Sequence, residues 1–83
     1  YYNKTPDFTE TTIPPGLRKD HSTKTGTWGL IKVSEGQLKY VADEHQQVLS
    51  PLKDGIVVPN MIHHVEAIES VRFCVEFYRR EKT

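Results

Sequence analysis

Four histidines, His21, His45, His63 and His64, are the residues of this chain best equipped for chemistry. A neutral imidazole can ligate a metal, move a proton, or serve as an ordinary hydrogen-bonded core group. In extended chain, side chains alternate between two faces. On that period His63 shares an apolar face with Val65 and Ala67, whereas His64 goes with Glu66 and Ile68 and is expected at the surface. His21 is assigned inward with Leu17 and Lys19, and His45 lies in the polar turn Asp43-Glu44-His45. The last apolar segment divides more sharply: Val71, Phe73, Val75 and Phe77 make one face, and Arg72, Cys74, Glu76 and Tyr78 the other. If the mixed face lines a cavity, Glu76 brings a carboxylate beside the histidines. If it faces water, Glu76 is a surface charge.

Other chemistries lack their residues. There is no Cys-x-x-Cys, no His-Glu-x-x-His and no glycine-rich phosphate loop. Cys74 is the single cysteine, so no internal disulfide can form, and its place inside a strand-like run reads as a small buried side chain. Lys and Arg total 11 against 11 Asp and Glu, without a basic cluster, which argues against a nucleic-acid partner. Every apolar run falls far short of the roughly 20 residues that cross a bilayer, and no signal-peptide pattern opens the chain. No membrane partner and a reducing, cytoplasmic setting are therefore expected.

The elements that must hold these side chains follow from composition. The chain has 83 residues, enough for one small domain. Val, Ile and Thr contribute 21 of them and aromatic residues eight, against two alanines. Such side chains suit a pleated surface, so the expected class is all-β. Strands are predicted over 17–22, 27–34, 37–42, 46–50, 55–58, 63–68 and 71–79, spaced as in a sandwich or barrel. Glu35-Gly36, Asp54-Gly55, Pro59-Asn60 and Glu69-Ser70 supply the turns. Residues 1–16 read as an N-terminal arm or edge strand, because Pro14-Pro15-Gly16 interrupts regular structure, and 17–83 as the domain proper. Trp28, Ile31, Val33, Leu38, Tyr40, Ile56, Val58, Val65, Phe73 and Val75 are the expected core.

Two segments carry a family resemblance. Gly55-Ile-Val-Val-Pro59-Asn-Met-Ile-His63 resembles the second cupin motif, with Met61 and Ala67 replacing its usual Gly and Asn. The run from His21 through Trp28-Gly29 to Glu35-Gly36-Gln-Leu-Lys-Tyr40 resembles the first cupin motif, with Gly29 in place of the customary Glu. As a set, these segments are similar to the TehB-like family of small cupin-type domains, over about residues 5–79. Members stand alone or precede a methyltransferase domain in tellurite-resistance proteins.

The resemblance implies a single small cupin-like barrel of the double-stranded β-helix or jelly-roll type, with a site at its mouth. By position, His21 and His63 become metal ligands, and Glu76 is the carboxylate expected to complete a two-His, one-carboxylate set, with Glu66 as its rival. Such a set holds a divalent ion, Zn, Fe or Ni, with open positions. A small oxyanion or organic ligand would fill those positions, and Arg72 would pair with an anion. The expected function is thus a metal-binding module in oxyanion stress. The alternatives are a cupin-type dioxygenase or isomerase, and a structural or ligand-sensing module that forms a homodimer through its edge strands.

Overall fold

Two long strands dominate the protein, and both run through positions where the sequence suggests turns. The computed structural model describes residues 3–23 and 25–79. Strand β3 (Thr27–Ala42) and strand β6 (His63–Arg79) pair antiparallel along nearly their whole length, from Thr27 opposite Arg79 to Ala42 opposite His63. Glu35-Gly36 and Glu69-Ser70 are facing bulges within that pair rather than hairpin turns. The register slips between Val33 and Glu35 and again between Gly36 and Leu38. Gly36 has φ +77° and Glu69 φ +132°, conformations that suit the extra residues of a bulge.

Short strands flank this central pair. Strand β4 (His45–Leu49) pairs with residues 38–42 of β3, and β5 (Gly55–Val57) with residues 29–31. Along the outer edge of β6, β1 (Asn3–Lys4) pairs at Phe77 and Glu76, and β2 (Phe8–Thr9) at Phe73 and Arg72. The arm is tied down further. Thr5 exchanges two hydrogen bonds with Val75, and Glu10 accepts the Val71 amide at 2.9 Å.

The fold is therefore mostly β, as the composition implies, in one antiparallel sheet. It is not the closed cupin-type barrel expected from the resemblance. Closure requires the two sheet edges to pair, and here β1 and β2 lie on the β6 side while β4 and β5 lie on the β3 side. The strand expected over 17–22 is also absent. Pro14-Pro15 instead opens a one-turn helix α1 (Pro15–Arg18), since proline's fixed φ fits a first helical turn. The chain then extends so that His21 bridges the outer edge of β6 at His63.

The core follows the bulges. Before them, odd-numbered Ile31 and Val33 point inward; after them, even-numbered Leu38 and Tyr40 do. One extra residue switches the phase. Strict alternation misplaces β5: Val57 is buried and Ile56 is 62% exposed. Trp28 is exposed too, because it shares the phase of Leu30 and Lys32 rather than that of Ile31. Ile13, Leu49 and Val71 are core residues outside the predicted set. Among the described residues, no helix is long and apolar enough to cross a membrane.

Candidate functional site

The inward face of the sheet is only partly covered, and the gap is a cavity of about 380 Å³. Its floor comes from the odd-numbered side chains of β3 and β6 together with Val57 of β5. Its rim is the segment from Leu17 in α1 to Thr23, which passes over the sheet and carries His21. Two main-chain hydrogen bonds fix that segment: the His21 amide donates to the His63 carbonyl at 2.9 Å, and the His63 amide donates back at 2.8 Å. Thr23 adds a hydroxyl bond to the Thr27 carbonyl at 2.8 Å.

This bridge brings the two imidazoles together. Their ring centroids are 4.1 Å apart, and both rings line the cavity. Each Nδ1 turns back to a carbonyl two residues earlier, His21 to Lys19 and His63 to Met61, both at 2.9 Å. A carbonyl only accepts, so each Nδ1 carries a proton, and in the neutral His63 ring Nε2 is left with a lone pair. His63 is 4% exposed. Its burial pushes the imidazole below the ordinary histidine value, opposed by the Met61 hydrogen bond, so the neutral form is favoured.

Glu76 is elsewhere. As an even-numbered residue of β6 it lies on the opposite face from Phe73, Val75 and Phe77, where it accepts the Tyr78 hydroxyl at 2.7 Å. Arg72 shares that outer face and pairs with Glu35 at 3.3 Å and Asp7 at 3.9 Å. Cys74 is buried, and that burial raises its thiol above the ordinary value, which does not suit a nucleophile. Glu66 is engaged by His64. The His64 ring is held between two carboxylates, with Nδ1 2.8 Å from Asp20 and Nε2 2.9 Å from Glu66, while Lys39 approaches Glu66 at 4.0 Å. Alternation placed His64 beside Glu66, but nothing in the sequence signalled the arrival of Asp20. That contact pins the residue next to His21 onto β6.

The family profile of the TehB-like domain matches residues 3–75. The chain belongs to the TehB-like domain family. A protein of Haemophilus influenzae (strain KW20 / Rd) named "Probable S-adenosyl-L-methionine-dependent methyltransferase TehB" is 31% identical, with 98% of this chain and 31% of that protein aligned. Its namesake in Haemophilus influenzae (strain 10810) is 30% identical over the same shares. The crystal structure of TehB from Haemophilus influenzae superposes with a TM-score of 0.88 at 29% identity, over 95% of this chain and 30% of that one. A protein of E. coli (strain K12) shares the fold at a TM-score of 0.83 and 22% identity, and there the match covers 89% of the solved chain. This TehB-like chain spans about a third of the length of its curated relatives.

These findings overturn the expectation of a divalent Zn, Fe or Ni ion. The TehB relatives are named for S-adenosylmethionine, not for a metal. The donor set fails as well: among the described residues, no three His, Cys, Asp or Glu side chains converge. His21 and His63 meet, but Glu76 faces the other way and Glu66 belongs to His64. The cupin motif spacing found the two histidines, and the bulges and strand phase decided which carboxylates could join them.

The His64 cluster sets a pH dependence. Hydrogen bonds that His64 donates to Glu66 and then to Asp20 raise its pKa, so its contribution to stability is full below the unfolded value of about 6.5 and is lost as pH rises through the folded value. The lowered His63 acts in the opposite sense, its contribution being lost as pH falls below about 6.5. Urea unfolding across pH should therefore show a maximum near pH ~6.5, and His64→Ala should remove the decline on the alkaline side. A decline that persists in His64→Ala would assign it to another group.

Proposed function

We propose that this TehB-like chain is a small-molecule-binding domain that serves an S-adenosylmethionine-dependent methyl-transfer system of oxyanion resistance. The observation that carries this reading is the cavity, with an apolar floor, the buried imidazole of His63 and, on the rim fixed to β6, that of His21. A preformed apolar concavity with few polar groups is the usual form of a small-molecule site, and its volume lies within the common range. The lining does not fit S-adenosylmethionine itself. That molecule presents an ammonium, a sulfonium and a ribose diol, and among the described residues no carboxylate lines the cavity. On this reading methyl transfer belongs to the remainder of proteins such as the Haemophilus TehB, and ligand capture to this domain. A bare oxyanion is disfavoured because Arg72 is paired on the other face and burial keeps His63 neutral.

Toluene serves as the apolar probe. It should bind the wild-type chain and raise its melting temperature in a concentration-dependent way. Thr27→Phe, which projects a ring from the half-buried margin of the cavity, should abolish that shift while the chain stays folded. Equal shifts in both proteins would place the binding elsewhere.

A further inference from the structure

We propose that the cavity selects a neutral organic molecule with an apolar body and a hydroxyl or N–H donor, the donor being read by His63 Nε2. This inference rests on the cavity being a small-molecule site and adds the class of ligand. Both Nδ1 protons are committed to main-chain carbonyls, at Lys19 and at Met61. The polarity that the buried His63 ring offers to a ligand is therefore that of an acceptor. No hydrogen-bond partner of either Nε2 occurs among the described residues. Among the described residues His63 is the buried polar residue of the core, and no buried side-chain nitrogen there lacks a partner, so its unpartnered Nε2 is the reachable part of an otherwise buried ring. The tautomer is held by the backbone, because β6 and the 19–21 segment are bridged through His21 and His63 themselves.

An anion meets the lone pair of the buried His63 ring and is repelled. A purely apolar molecule fills the floor, which includes Ile31, Val57 and Val75, but leaves the Nε2 atoms unused. A molecule with one donor satisfies both environments. The packing of His21 against the His63 ring holds the acceptor in place, and the Tyr40 ring meets His63 from another side at 5.9 Å between centroids.

The test compares phenol, toluene and benzoate on the whole chain by calorimetry and NMR titration. Phenol and toluene differ by the donor, and phenol and benzoate by the charge. Their affinity ratio in the wild type is then compared with that in His63→Phe, which keeps an aromatic ring and removes the acceptor. The phenol-to-toluene preference should fall about tenfold in the variant, the size of one hydrogen bond, and benzoate should bind the wild type more weakly than phenol. His63→Gln, which restores an acceptor, should recover part of the preference and guards against misfolding of His63→Phe. A preference unchanged in His63→Phe with toluene still bound, or tighter binding of benzoate, overturns the ligand class and leaves the cavity as a site. Failure of both phenol and toluene to bind the wild type overturns the cavity reading itself.

Discussion

Gly36→Val should leave little or no folded protein. Gly36 lies at the centre of the β3–β6 pair, opposite Val71, with φ +77°. A side chain in that conformation costs about 1–3 kcal/mol of backbone strain, and a β-branched one sits at the upper end. The collision is worse than the strain. A Cβ built at Gly36 runs into the Ser70 carbonyl oxygen, a main-chain atom that cannot rotate away. The two bulges face each other at this point, so relief means parting the two longest strands. Small domains are stable by about 5–15 kcal/mol in total, which leaves no reserve for such a change. The amide NMR spectrum of Gly36→Val should lose its dispersion. A variant within about 1 kcal/mol of wild type in urea would show that the bulge relaxes at low cost.

Phe73→Ala should cost about 3–5 kcal/mol, the range for a fully buried phenylalanine. Phe73 is 1% exposed and stands where β6 carries load on both edges, with Val33 of β3 on one side and Phe8 of β2 on the other. The Phe8 ring meets it edge to face, with 5.7 Å between centroids. Because Phe73 also floors the cavity, truncation enlarges a space that exists already, and the neighbours cannot collapse to fill it. Phe73→Leu should lose much less. Chemical denaturation of the three proteins checks the ordering, and equal stability of Phe73→Ala and Phe73→Leu would contradict the packing described here.

Much of this was legible in the residues themselves. Alternation set His63 with Val65 on an apolar face, Phe73 and Val75 belonged to the expected core, and the motif resemblance paired His21 with His63. The turns were harder to read. Glu35-Gly36 and Glu69-Ser70 have the residue types of hairpins, yet each strand continues through them. A glycine with positive φ serves a bulge as well as a turn, and the choice depends on the partner strand. The same ambiguity suggested more strands than exist and hid the phase change that turns Leu38 and Tyr40 inward. The carboxylate at Glu76 was misassigned for a related reason. A strand with one apolar and one mixed face does not say which face the rest of the chain will cover. Here the 17–23 segment crosses the apolar face, and residues 3–9 occupy the edge of β6. Asp20 reaches His64 across 44 positions of sequence, a contact no local pattern encodes.

The central claim is that the space between the 17–23 segment and the sheet receives a small organic molecule. Intermolecular nuclear Overhauser effects between bound toluene and the methyl groups of the protein test it most directly. The cavity reading predicts contacts to Ile31, Val57, Val65 and Val75, which line the floor, and none to Val48 or Ile62, which are exposed outside it. Contacts to Val48 or Ile62 in place of the floor methyls would contradict it.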